Sequence, residues 1–161
     1  MAKFYSTKTY GNDRGLSCCF RQWRATHSHC STLHGYSIGI KLIFECDTLD
    51  DKNWCMDFGG LKEFKAWADD TFDHTLVIAE DDPHLELFKQ LNEIKGGFND
   101  SGICDLRIVP GVGCEMFAKM AYDKMAELLA SGDMRYPINP TVRVKSVEVF
   151  EHGANSATYE G

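Results

Sequence analysis

A chain of 161 residues holds one domain of ordinary size and is too short for two. With 43% hydrophobic and 25% charged residues it can bury a core, which excludes a disordered tail or a fibrous repeat. Lys+Arg number 17 against 24 Asp+Glu, a formal charge of -7 with no basic cluster, so nucleic acid is not an expected partner.

The segment Met1-Ala2-Lys3-Phe4-Tyr5-Ser6 contains no apolar h-region, so no secretory signal is expected. No run approaches the ~20 apolar residues that cross a bilayer, so no membrane association is expected either. The expected location is cytoplasmic, with reduced thiols at Cys18, Cys19, Cys30, Cys46, Cys55, Cys104 and Cys114. No pair of them has the Cys-x-x-Cys spacing of a structural zinc site.

In chain order, the first strand is expected from about Gly15 to His27, where Cys, Phe, Trp and Thr favour extended backbone. A second runs from His34 to Cys46, with Ile38, Ile40, Leu42 and Phe44 on one face at period two. The polar link Ser28-His29-Cys30-Ser31-Thr32 between them predicts an antiparallel hairpin. Thr48 to Asn53 reads as a turn, and Trp54 to Phe58 as a short extended piece ending at Gly59-Gly60. Helical periodicity begins at Leu61 and carries Phe64, Ala68 and Phe72. Asp81-Asp82-Pro83 signals a short helix with Leu85, Leu87, Phe88 and Leu91. A loop over 96–102 and a strand over 103–109 follow, the strand broken by Pro110-Gly111-Val112-Gly113. The longest helix is expected over 114–130, with Phe117, Met120, Ala121, Met125 and Leu128 on one stripe. Val142, Val144, Val147 and Val149 mark a last long strand, kinked near Lys145-Ser146 where the apolar parity changes. Thr158-Tyr159 can add a short one. Paired antiparallel strands with helices on one face predict an α+β architecture. No Gly-x-Gly-x-x-Gly follows a strand and no P-loop occurs, so nucleotide-binding readings have no support.

Three histidines, His27, His29 and His34, lie within eight residues. On an extended strand His27 and His29 point the same way, and a reversal within 28–33 brings His34 across from them. Three imidazoles around one point with an open fourth position is the arrangement of a catalytic zinc, so Zn2+ is the expected cofactor. Exposed loop histidines without a ligand are the alternative. Cys30 in the same turn is a candidate nucleophile or base, a packing residue, or a further zinc ligand. Asp73-His74 is an acid–base pair in which a carboxylate can orient an imidazole. Glu151 ends the apolar strand 142–150, where it can accept hydrogen bonds from a ligand's N–H groups or stand as a solvated strand end.

Together these pieces resemble the 6-pyruvoyl-tetrahydropterin synthase / 6-carboxy-tetrahydropterin synthase family, of the tunnelling fold. The family pattern is aromatic-x-small-small-His on a first strand, then Cys-x-x-x-His-Gly-His on a second. Trp23-Arg24-Ala25-Thr26-His27 resembles the first part and Cys30 to Tyr36 the second. Met56 to Lys62 is similar to the family's lead into its first helix, Phe72-Asp73-His74 to its Leu-Asp-His, and Val147 to Glu151 with Ala157-Thr158-Tyr159 to its closing motifs. The matches run in order over nearly the whole chain.

The resemblance implies a single pterin-synthase-like domain over 1–161, with 82–102 as a surface insertion. It implies an antiparallel four-stranded sheet with two main helices packed on one face. The implied reaction is that of a zinc-dependent carbon–carbon lyase, a 6-carboxy-5,6,7,8-tetrahydropterin synthase, on 7,8-dihydroneopterin triphosphate, on the route to queuosine. The alternatives are the triphosphate-eliminating pyruvoyl synthase and a non-catalytic pterin-binding module. Carried over by position, Cys30 is the general base, Asp73 and His74 a proton relay, and Glu151 the pterin anchor. Tyr36 stands at the family's third histidine, so the expected metal ligands are His27, His29 and His34, with Tyr36 and, in a shifted register, Cys19 as other candidates. The family's Pro-Thr-x-Glu becomes Val112-Gly113-Cys114-Glu115, which keeps Glu115 as a substrate-binding residue and drops the threonine hydroxyl. The family's assembly implies a homo-oligomer, trimer or hexamer, with sites between subunits.

Overall fold

Ile38, Ile40, Leu42 and Phe44 are all fully buried, as their spacing requires. They lie on the core face of the first of two sheets. In this computed structural model, which describes residues 2–13 and 15–161, the first sheet has the order β1 (Phe4–Tyr10), β4 (Gly39–Cys46), β7 (Arg143–His152), β8 (Asn155–Tyr159), antiparallel throughout. This is the expected four-stranded sheet. Helix α3 (Cys114–Ser131) lies on β7 and β8, and α1 (Lys62–Phe72) lies beside α3. Their buried stripes are Phe64, Ala68 and Phe72 on α1 and Phe117, Ala121, Met125 and Leu128 on α3.

A second sheet was not expected. It runs β3 (His34–Ser37), β2 (Ser17–Phe20), β5 (Thr75–Ala79), β6 (Leu106–Val109), with β2–β3 antiparallel and the other two pairings parallel. Strand β5 is buried at every position, so it shows no alternation to read. The single expected strand 34–46 is two, β3 in one sheet and β4 in the other. The kink foreseen near Lys145 is a register shift, Ile43 facing Ser146 and Phe44 facing Val144, which leaves Lys145 as the extra residue.

The segment 82–102 is more than a surface insertion. Its helix α2 (Leu85–Asn92) sets Phe88 against Leu76 and Ile78 of β5, forming a second apolar cluster on the outer face of the second sheet. Asp82 is buried in a two-pronged ion pair with Arg21. A chance apolar pattern would not bury a carboxylate against a guanidinium.

Gly39 begins β4 where a Cβ would lie 2.3 Å from the Phe150 ring on β7. The variant Gly39→Ala is expected to lose about 1–3 kcal/mol to overpacking, read as a lower urea midpoint; an unchanged midpoint would show that the ring moves aside freely.

Candidate functional site

The first-strand expectation fails where it mattered most. Extended backbone stops at Phe20, and residues 21–33 form turns and a short 3-10 turn at His29–Ser31. Here backbone groups bond to one another locally: the Gln22 N–H donates to the Cys30 carbonyl at 2.8 Å, and the Cys30 N–H to the Ser28 hydroxyl at 3.2 Å. With no strand beneath them, His27 and His29 lose the alternation that was to aim them together. Both are exposed in the loop, while His34 opens β3. Among the described residues, no three His, Cys, Asp or Glu side chains are gathered to hold a metal ion. The donor set His27, His29 and His34 therefore does not fit zinc.

What converges instead is aromatic. In the β2–β3 register Phe20 faces His34 and Cys18 faces Tyr36, so these four side chains share one face of the pair. Phe20 and Tyr36 stack with ring centroids 3.9 Å apart at 13°, and His34 lies 4.5 Å from Tyr36. Below them Phe117 meets Phe20 edge-on at 5.0 Å and Phe72 at 4.9 Å. The family's first-strand pattern, laid on β2 as it folds, runs Leu16-Ser17-Cys18-Cys19-Phe20, with Phe20 at the histidine position. The signal for this register was in the sequence: small residues at Cys18 and Cys19 precede an aromatic. The nearby histidines drew the reading seven residues too far.

The Tyr36 phenol feels the charge of several of the remaining polar groups. Burial pushes its phenol up to about 12, reinforced by Glu151, Cys30, Cys114 and Cys18. Glu151 sits half-buried near the end of β7. Its charge also acts on Cys114, the first residue of α3, whose thiol is raised to about 11, by burial first and then by Glu151 and Glu115. Glu115 is exposed in the first turn of α3, where a carboxylate suits the helix dipole. Where the family has its threonine, Gly113 takes φ 107° and a Cβ would fall 2.1 Å from the Gln22 amide nitrogen. That amide donates to the Val112 carbonyl at 3.1 Å, so the loop from β2 fills the space a threonine side chain needs.

Asp73 and His74 do pair, at 3.1 Å. His74 adopts φ 58°, an uncommon left-handed backbone for a side-chain-bearing residue. The Ser17 carbonyl accepts its N–H at 2.6 Å and the Ser17 N–H donates to Asp73 at 3.4 Å. The His74 ring, however, lines a cavity of about 390 Å3 with Cys19, Gly35 and Cys104. Cys19 and Gly35 face away from the aromatic stack, so His74 sits with the residues on the other face of the β2–β3 pair.

Comparison with known proteins places this arrangement. The 6-pyruvoyl tetrahydropterin synthase family profile matches residues 12–161. The chain belongs to that family. An Aquifex aeolicus protein named 6-carboxy-5,6,7,8-tetrahydropterin synthase is 24% identical over 131 residues, 81% of this chain and 75% of its own. Matches to Rickettsia proteins of the same name span less than half of their length. An uncharacterised Wolinella succinogenes protein superposes with TM-score 0.74 at 19% identity, covering 100% of this chain and 99% of that one. Plasmodium falciparum 6-pyruvoyl tetrahydropterin synthase superposes at 0.63 and 14%, with the same coverage. The family's tunnelling fold is thus that of this chain. No helix among the described residues is long and apolar enough to cross a membrane.

Proposed function

We propose that this protein is a lyase acting on 7,8-dihydroneopterin triphosphate, of the 6-carboxy-5,6,7,8-tetrahydropterin synthase type. The observation that carries it is the family profile over residues 12–161, with half-buried Glu151 near the end of β7 at the position of the pterin anchor. A half-buried carboxylate such as Glu151 can accept the two N–H groups on one edge of a pterin ring, which orients the ring's side chain. Cys30, exposed and held by its backbone, takes a proton from that side chain. In this reading Asp73 and His74 serve the site of a second copy, since His74 lines the face of β2–β3 opposite the aromatic stack, and the protein works as a homo-oligomer with sites between subunits. The names of the Aquifex and Rickettsia relatives support the carboxy product over the pyruvoyl one. No step is assigned to zinc, because the donor set does not fit it.

A second reading, pterin binding without turnover, is favoured by Phe20 and Tyr36 at the pattern's histidine positions. Incubating the protein with dihydroneopterin triphosphate separates the readings. Acetaldehyde release is the expected result. Triphosphate release without acetaldehyde marks the pyruvoyl type, and tight binding with neither product marks the binding module. Cys30→Ala is expected to lower turnover by about 10²-fold or more with binding kept, and full activity in that variant removes Cys30 from the chemistry.

A further inference from the structure

Of the three positions where the family pattern carries histidines, this chain keeps an imidazole only at His34. The Phe20 ring has no lone pair to offer a metal. The Tyr36 phenol carries a hydroxyl proton, and in that form its oxygen is a hydrogen-bond donor and a poor metal ligand. One imidazole is not a zinc site, which needs three or four donors. Yet the three rings still pack together on the inner face of β2–β3, Phe20 and His34 each against Tyr36, with centroid separations of 3.9 and 4.5 Å.

Resting on the pterin reading above, we infer that the Tyr36 hydroxyl takes the place of a divalent cation here, donating a hydrogen bond to a side-chain oxygen of the bound pterin. The ring is well held for that task. Phe20 lies flat against it, and Phe20 is itself fully buried against Phe117. His34 is fixed by its Nδ1–H, which donates to the Thr32 carbonyl at 2.6 Å; a carbonyl only accepts, so this nitrogen carries the proton. Among the described residues the Tyr36 hydroxyl has no hydrogen-bond partner, so its proton is free for a ligand. A neutral acid in an apolar wall can donate to an oxygen that gains charge during reaction, without the proton being lost.

The test uses the full-length protein, stripped with a chelator and then titrated with zinc alone, with metal content read by elemental analysis. The wild type is expected to retain less than a tenth of an equivalent. A full equivalent held through dialysis, and lost in His34→Ala, overturns the inference. The double variant Phe20→His with Tyr36→His places imidazoles at all three positions of the family pattern. If circular dichroism shows it folded, it is expected to gain close to one zinc, and with cobalt(II) the visible bands of a bound ion; a folded double variant that takes no metal also overturns the inference. Should it not fold, the remaining arms decide. Tyr36→Phe keeps the stack and removes only the donor, so neopterin affinity measured by fluorescence is expected to fall about five- to tenfold, the worth of one hydrogen bond. Unchanged affinity removes the phenol from the site. If the wild type binds no neopterin at all, the pterin reading falls, and with it the donor role of Tyr36, while the zinc arms still report on the metal position separately.

Discussion

Phe117→Ala is expected to cost about 4 kcal/mol, in the range of buried phenylalanine truncations. The side chain is fully buried and touches Phe20 and Phe72 edge-on at 5.0 and 4.9 Å. It joins α3 to both β2 and α1, so no single element can move in to close the cavity that truncation would leave. Domains of this size hold only about 5–15 kcal/mol in all, so the variant should sit near its unfolding threshold at 37 °C. Urea denaturation followed by tryptophan fluorescence checks this, with Phe98→Ala as the comparison. Phe98 is 86% exposed and its removal should change stability by less than about 0.5 kcal/mol. A loss below 1.5 kcal/mol for Phe117→Ala would mean the core relaxes far more than its packing implies. A folded remnant should also bind neopterin less tightly, because Phe20 and Tyr36 lose their floor.

Asp82→Ala is expected to destabilise by about 3 kcal/mol or more, because it strands a largely buried guanidinium. The Arg21 Nε and Nη2 donate to the two carboxylate oxygens at 2.9 and 2.8 Å, with 1% of the Asp82 side chain and 19% of the Arg21 side chain exposed. The His84 N–H also donates to this carboxylate, at 2.9 Å. Burial pushes the Asp82 carboxyl up, but the Arg21 and His84 hydrogen bonds outweigh it and leave it below its ordinary value. A carboxyl depressed in the folded state stabilises the fold above the unfolded aspartate range of about 4, and that stability drains away as pH falls through and below it. The stability gap between wild type and variant should therefore be widest near pH 7 and shrink towards pH 3; a constant gap would sink the ion-pair account. The effect reaches the site as well. Arg21 also donates to the Ser31 carbonyl at 3.4 Å, and Trp23 and Arg24 are bound by Asp81, so the segment 81–82 pins both ends of the loop that presents Cys30. Amide exchange over 21–33 should quicken in the variant.

The contrast between well-read and misread elements has a physical basis. Strand β4 and helices α1 and α3 each bury one face and wet the other, so their periods of two and of three to four were visible in the chain. The bulge at Lys145 was visible for the same reason, as a change of parity. Strand β1, an exposed edge, and β5, buried on every side, lack that contrast and went unread. The order Cys30, His34, Asp73, Glu151 was legible as motif, and the family followed from it. The metal ligands were misassigned because spacing between histidines says nothing about where a strand stops.

Local pattern was enough for the α+β class, the core faces of the main elements, and kinship with the pterin synthases. Those properties depend on burial of one face, and burial leaves a periodic trace along the chain. The identity of the side chains that meet at the β2–β3 turn was decided by register between strands, and register is a long-range pairing with no such trace. It set Phe20 opposite His34 and against Tyr36, sent His27 and His29 out to water, and turned His74 to the far side of the sheet.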